Sequence, residues 1–240
     1  MEFKSTVDVE MIQSMGGDEM VVAAAKVSTC GTDAVKFADP SYSSDNAGLI
    51  SYLMQHRHGT PFEHAAMTFF VHAPIFVWRE WHRHRVGFSY NEESGRYKTL
   101  APIFYLPDRE RPMMKVDGWK PGRPKFLRCD DDSLFEAFCE SKKRQYASSY
   151  ESYEEALGWG VDPGLARIDL PVGIYSGCWV TCNPRSLMHF LSLRTHEPEA
   201  AKVSDPLHEI EMAARACEKM FAEGWPLTYA AWLKFGRVAP

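Results

Sequence analysis

Much is missing from this chain of 240 residues, and each absence removes a class of function. The six cysteines (Cys30, Cys129, Cys139, Cys178, Cys182 and Cys217) form no CxxC pair, which disfavours a zinc ribbon. Cys178 and Cys182 stand four apart, but nothing else completes a metal set. Scattered thiols of this kind read as the reduced cysteines of a cytoplasmic protein. There is no GxGxxG or Walker loop, so a Rossmann or P-loop nucleotide site is disfavoured. No GxSxG elbow surrounds Ser94, and a covalent protein nucleophile is not evident. No stretch approaches the ~18 apolar residues of a membrane span, and the start, MEFKSTVDVEMIQSMGGDE, lacks the apolar run of a signal peptide. A basic surplus is absent too. Lys and Arg number 27 against 32 Asp and Glu, a net charge of −5, which argues against broad nucleic-acid binding but allows a local pocket for a small anion.

What is present fits one globular domain over 1–240. Hydrophobic residues make up 45% of the chain, enough for a substantial core. Residues 18–28 read as a first helix, and Asp45 as the cap of a second with Leu49, Ile50, Leu53 and Met54 on its buried stripe. AAMTFFVHA (65–73) alternates with period two, as a strand does, and Pro74 suits the first turn of a helix reaching the His- and Arg-rich segment 82–85. Residues 86–99 read as loop, 101–107 as a short strand, and the proline-rich 108–132 as a surface excursion. A long helix follows from about Ser133, with Leu134, Phe138, Tyr146, Tyr150, Tyr153 and Leu157 along it. GLARIDLPVGIYSGCWVTC (164–182) turns from a short helix into a strand. Asn183 with Pro184 opens another helix, and the last clear helix runs from about Pro206 to Glu223, capped by Asp205 and stopped by Gly224. Helices and strands mix without regular alternation, so the fold class is α+β.

Chemistry concentrates in one stretch, RHRVGFSYNEESGRY (83–97), too polar for a core strand and too dense in donors and acceptors for an ordinary loop. Six of the nine histidines fall between 56 and 84, yet no HExxH spacing joins them and no carboxylate completes a metal set. Arginine forks suit phosphate: Arg83, Arg85 and Arg96 bracket one loop, and Arg167, Arg185 and Arg194 return later in patterned elements. Arg194 lies on the apolar stripe of its own helix, seven residues after Leu187, so its charge requires a partner or a function.

Together these segments resemble the flavin-dependent thymidylate synthases. RHR, a short spacer and SGR match that family's signature; HRHGTPFEHAAMTFFVHAPIFVWREWHRHR, AAKVS, ARIDLP, NPRSLMHFLSLR and WPLTYAAWLKF follow its order over nearly the whole chain. The resemblance implies helices packed around a mainly antiparallel sheet and a homotetramer whose sites are shared between subunits. It implies FAD as cofactor, NADPH and methylenetetrahydrofolate as co-substrates, and dUMP as the molecule methylated at C5. Carried onto this sequence, Arg83, His84 and Arg85 would contact FAD, with Arg83 near the nucleotide as well. His58 and Thr60 would lie beside the flavin, Ser28 near its phosphates, and Asn183, Arg185 and His189 would face it. Glu92 would stand between flavin and dUMP. Ser94, Gly95 and Arg96 would hold dUMP, with Arg96 at its phosphate, and Arg167 would touch it too. Arg194 would sit at the uracil edge as the catalytic residue, favouring ionisation at N3.

The chain departs from that pattern at four places. The spacer between RHR and SGR is one residue longer than usual, with the extra residue within Val86–Phe88. Glu80 stands where a dUMP-facing glutamine is usual, and His189 where an asparagine is. The segment 195–208 is longer than its counterpart and unlike it, with His196 a candidate for the family's histidine there. Two other classes are weighed against this reading: a metal-dependent nucleotide hydrolase built on the histidines, and an RNA-binding protein using the RHR loop, which the net charge opposes.

Overall fold

The structure, a computed structural model, describes residues 1–41, 46–118 and 125–240. In chain order come β1 (Glu2–Lys4), β2 (Asp8–Met15), α1 (Asp18–Cys30), α2 (Asn46–Gln55), β3 (Ala66–Pro74), α3 (Ile75–Trp81) and β4 (Phe88–Glu92). Three short strands follow: β5 (Ile103–Tyr105), β6 (Met114–Lys115) and β7 (Phe126–Leu127). Then come α4 (Asp132–Gly158), α5 (Pro163–Ala166), β8 (Tyr175–Cys182), α6 (Pro184–Arg194), α7 (His208–Gly224) and α8 (Pro226–Lys234). This is an α+β chain. It gathers into two compact units, each assembled from separated stretches: Met1–Asp8, His72–His82 and Glu92–Cys178 in the first, Val9–Val71, Arg83–Asn91 and Trp179–Pro240 in the second.

The first unit is organised by α4. Tyr146, Tyr150 and Tyr153 recur at helical spacing and bury their rings against Leu100, Phe104 and Ile174. Each phenol finds backbone: Tyr146 donates to Tyr105 (3.0 Å), Tyr150 to the Leu100 carbonyl (2.9 Å), and Tyr153 accepts the Leu100 N–H at 3.2 Å. These bonds let a tyrosine core fix the chain around residue 100, and losing one leaves a buried polar group unpaired at a cost of about 1–3 kcal/mol. Asp131 starts α4 by accepting the Leu134 N–H at 3.0 Å. β1 pairs in parallel with β5, and β6 antiparallel with β7.

A four-stranded, mainly antiparallel sheet has the order β2-β3-β8-β4. Met67, Phe69 and Val71 of β3 are buried on alternate positions, as the period-two pattern predicts. On β3 and β8, Thr68 and Thr181 join hydroxyls at 2.9 Å. The helices α1, α2, α6, α7 and α8 bury Val21, Ile50, Phe190, Phe221 and Trp232. Asp18, buried at the start of α1, accepts the Leu227 and Thr228 N–H groups (2.7 and 2.9 Å) and so caps α8, which has no cap of its own.

Several sequence expectations need correction. Pro74 ends β3 and precedes α3 rather than sitting in its first turn; its extended ψ of 150° suits the N-cap position. The 86–99 segment is not all loop, because Phe88–Glu92 adds β4 to the sheet edge, with Phe88 and Tyr90 half-buried on alternate positions. Helix α7 begins at His208, and Asp205 does not cap it: its carboxylate lies 3.2 Å from His196 Nδ1. Gly224 closes α7 as its last residue, and α8 follows directly after Trp225. The expected cap Asp45 lies outside the described residues, as do 119–124 of the excursion, whose flanks pair as β6 and β7. Among the described residues no helix is long and apolar enough to cross a membrane.

Candidate functional site

In the second unit a cleft of about 720 Å³ opens between α1, α2 and the start of α6. Four of the predicted cofactor residues line it: Ser28, His58, Thr60 and Arg185. Its wall carries cations and hydroxyls, with Lys26, Arg57 and Thr29 beside them. An aromatic shelf completes it. The Tyr52 and His58 rings meet edge to face at 5.8 Å, and His56 leans on Tyr52 at 4.3 Å. Hydroxyls and guanidinium groups suit phosphate oxygens, and the shelf suits a flat ring system, so the donor set fits a dinucleotide such as FAD. Arg185 is fixed by an ion pair to Glu63 at 2.5 Å and by donation from Nε to the Pro240 carbonyl at 2.7 Å. Gly59 makes this approach possible: an added Cβ would lie 2.5 Å from Arg185 Nε and 2.8 Å from Pro240 O.

Helix α6 bears three of the other candidates. Asn183 caps it, its side chain accepting the Ser186 N–H at 2.8 Å. Arg185 and His189 follow one turn apart on one face, and Arg194 ends the helix. Against this helix lies the turn after RHR. Gly87 has a left-handed φ of 68°, and an added Cβ would fall 2.1 Å from Ser186 Oγ, so only glycine fits. Val86 beside it is 89% exposed, and this turn offers room for the extra spacer residue.

His84 is buried in this unit, its ring 4.9 Å from that of Phe190 and 6.1 Å from that of His189. Arg194 donates from Nε to His84 Nε2 at 3.0 Å. Burial first, then the positive charges of Arg194, His189 and Arg83, push the imidazole down to about 4. The ring is therefore neutral at physiological pH, with its proton on Nδ1 and a lone pair for the guanidinium. Tyr90 donates to the His84 carbonyl at 2.6 Å and holds the backbone there. Arg194 thus has the partner that its place on an apolar stripe demanded. Arg83 and Arg85 are exposed on either side of His84.

The predicted nucleotide residues Ser94, Gly95, Arg96 and Arg167 converge in the first unit. Ser94 opens a turn whose hydroxyl accepts the Arg96 N–H at 3.3 Å. Gly95 is buried with Arg167 Cδ 3.2 Å from where its Cβ would be, and Gly164 stands in the same relation to Arg96 Cγ at 3.4 Å. Each arginine thus lies across a glycine of the other's segment, and both residues are exposed. Glu92 accepts the Ser176 hydroxyl at 2.6 Å, and Glu93 takes the Gly177 N–H at 2.8 Å. Glu80 is half-buried in the last turn of α3.

The histidine-rich stretch does not converge. His58 and His64 line the cleft, His82 stacks on Trp78 at 5.3 Å, and His72 packs against Tyr175 at 5.0 Å. Among the described residues no group of three His, Cys, Asp or Glu side chains could hold a metal ion. His196 is engaged locally, its N–H on Glu211 and its ring on Ser204 O and Asp205. Sequence reasoning passed over Lys26, Thr29, Tyr52, Arg57 and His64 as cleft residues. Arg57 stands between two histidines in the triplet HRH at 56–58, and no motif singles it out. It has a left-handed φ of 59°, a conformation that costs a side-chain-bearing residue roughly 1–2 kcal/mol.

Comparison with known proteins gives one answer. Residues 10–227 match the family described as thymidylate synthase complementing protein. The chain is 47% identical to a flavin-dependent thymidylate synthase of Streptomyces coelicolor, covering all of this chain and 96% of that one. A flavin-dependent thymidylate synthase of Tropheryma whipplei is 43% identical over 99% of this chain and 97% of its own. Among solved structures, the UMP/dUMP methylase PolB of Streptomyces cacaoi bound with 5-Br dUMP superposes with a TM-score of 0.90 at 45% identity, and the form bound with 5-Br UMP with 0.89 at 43%, each over the whole of both chains.

Proposed function

Because the chain belongs to the thymidylate synthase complementing protein family, we propose that it methylates dUMP to dTMP reductively, with FAD as cofactor and NADPH and methylenetetrahydrofolate as co-substrates. The methylene carbon of the folate forms a bond to uracil C5 as its two bonds to folate nitrogens break, the C5 hydrogen leaves as a proton that the freed folate nitrogen can take up, and a hydride completes the methyl group as tetrahydrofolate departs. FAD, reduced by NADPH, supplies that hydride when bound. The chain's own residues position and polarise. The cleft cations Arg57 and Arg185, with Ser28 and Thr60, take the cofactor's phosphates, and the Tyr52–His58 shelf receives a ring. Arg83, Arg85, Asn183 and His189 complete the cofactor contacts. Ser94, Gly95, Arg96 and Arg167 hold the nucleotide, with the two arginines at its phosphate, and Glu92 and Glu80 stand at its other edge.

Arg194 is the catalytic residue. Its guanidinium at the imide stabilises negative charge as N3 ionises, which raises the electron density at C5. The observation that carries this is the hydrogen bond from Arg194 Nε to the neutral, buried His84. A guanidinium held by a lone pair keeps its full charge, whereas a carboxylate partner would cancel part of it. No covalent protein nucleophile is needed, and all six cysteines are free thiols, with burial raising Cys139, Cys182 and Cys217.

In this reading 1–240 acts as one domain, and four copies build shared sites. The large apolar side chains exposed beside the nucleotide arginines, Tyr97 at 82% and Ile168 at 74%, support a covering subunit there. The test is incubation with FAD, NADPH, methylene-labelled folate and either dUMP or UMP. Label in the 5-methyl group of thymidylate, dependent on flavin, is expected. No transfer to dUMP under any of these conditions refutes the activity, and the UMP arm reports whether the ribose 2′-hydroxyl is tolerated.

A further inference from the structure

Helix α2 ends in a turn that ordinarily belongs to glycine. The Arg57 N–H bonds to the Met54 carbonyl and the His58 N–H to that of Leu53 (3.3 and 2.9 Å), the paired bonds of a Schellman motif. The left-handed residue of such a motif is usually glycine, and here it is Arg57. A strained conformation persists where the surroundings over-determine it, and such residues gather at ligand sites. Two things hold Arg57. Its Nη1 donates to the carbonyls of Val238 and Ala239 at 2.8 and 3.4 Å, and its side chain lines the cleft that also holds Lys26, Ser28, His58 and Arg185.

The segment that receives it is itself clamped. Arg237, buried and also left-handed with φ 60°, donates to Glu218 at 2.6 Å and to Thr195 Oγ1 at 3.0 Å, with its guanidinium 4.2 Å over the Trp232 ring. Glu218, 5% exposed, also takes the Tyr229 hydroxyl at 2.9 Å. From this anchor the tail runs to Pro240, whose carbonyl accepts Arg185 Nε. Three tail carbonyls therefore fix two guanidinium groups on one wall. Among the described residues the hydrogen bonds of Arg57 run through Nη1, which leaves Nε–H and Nη2 for a ligand.

We propose that Arg57 is an anion-binding residue of this cleft, and that the 237–240 tail positions it together with Arg185 for the pyrophosphate of the dinucleotide cofactor. This deepens the flavin reading and rests on it. The half-buried Val238 and Ala239 supply Arg57 with neutral carbonyl acceptors, so Arg57 keeps its full charge for the ligand, while Arg185 shares part of its charge with Glu63. A purely structural tie would use Arg57 only to pin the tail.

The test titrates FAD, riboflavin and inorganic pyrophosphate into the purified full chain, following flavin fluorescence and thermal melting, for wild type and Arg57→Gly. Glycine relieves the left-handed strain, so loss of fold is not expected. Losing one charge-assisted contact should weaken FAD about 10- to 100-fold while riboflavin, which has no pyrophosphate, binds alike in both. Removing Val238–Pro240 should weaken FAD in wild type and have a much smaller effect in the Arg57→Gly background. Equal FAD affinity in wild type and Arg57→Gly overturns the assignment, and equal effects of truncation in both backgrounds overturn the positioning role of the tail. Should wild type bind no FAD, the flavin reading fails separately, and pyrophosphate decides on Arg57: stabilisation that the variant loses keeps an anion site, and equal or absent stabilisation in both removes it.

Discussion

The two units treat their arginines differently. In the second unit three arginines of the cleft and of α6 are braced from behind: Arg185 by Glu63 and Pro240, Arg57 by Val238 and Ala239, Arg194 by His84. In the first, Arg96 and Arg167 lie exposed over Gly164 and Gly95 on an open surface. A braced set in a walled cleft is preorganised before any ligand arrives. An open set relies on something further to exclude water, and a neighbouring subunit is the proposed cover. In the proposed reading the cofactor cleft is preorganised and the nucleotide site is completed on assembly.

Variants can break this contrast, and the largest effect belongs to Arg194→Ala. It should leave FAD bound and cut methylation by about 10²–10³-fold or more, as loss of a charge-stabilising donor does; normal single-turnover rates would remove Arg194 from its role. Next comes Gly59→Ala, which forces a methyl group into Arg185 and the Pro240 carbonyl. FAD affinity should fall by more than about tenfold with dUMP affinity little changed, since it displaces a charge-assisted pair in the cleft alone. Arg96→Ala should do the reverse, raising KM for dUMP about tenfold and sparing the flavin titration. An unchanged KM would place the nucleotide phosphate elsewhere.

The smallest effect is a slope. His84 titrates at about 4 in the folded chain against 6.5 for a free imidazole, in the company of Arg194, His189 and Arg83. Between those values the unfolded chain takes up a proton that the folded one refuses, so stability should drop as pH falls from about 6.5 to about 4. His84→Gln, which keeps an acceptor for Arg194, should flatten that part of the stability profile. A profile unchanged by the substitution would mean that His84 is not the group refusing the proton.

How much of this was legible in the sequence depended on the scale of the signal. Periodicity placed α1, β3, α4 and α6, and the Asn183–Pro184 pair placed the start of α6 to the residue. β1 and β2 were not read, because their exposed, polar alternation resembles a tail. β4 was hidden by its function: SYNE is too polar to look like a strand, yet edge strands tolerate such residues. Asp205 looked like a cap and instead faces His196, a contact nine residues back that no local rule supplies. At the site, the long polar motif supplied the candidate residues, but the braces did not show. Glu63, Val238 and Pro240 reach Arg185 and Arg57 from far along the chain, and only folding reveals that a glycine-like turn carries an arginine for a purpose.

The most direct test of the central claim, that the cofactor cleft and the nucleotide arginines serve one reaction, is anaerobic reduction of bound flavin by NADPH, followed as bleaching of its absorbance with and without dUMP. The account predicts that FAD binds to the chain and that dUMP changes the bleaching rate, with Arg96→Ala weakening that response and Arg57→Gly weakening the binding. Flavin that fails to bind, or that bleaches at the same rate whether or not dUMP is present, would contradict it.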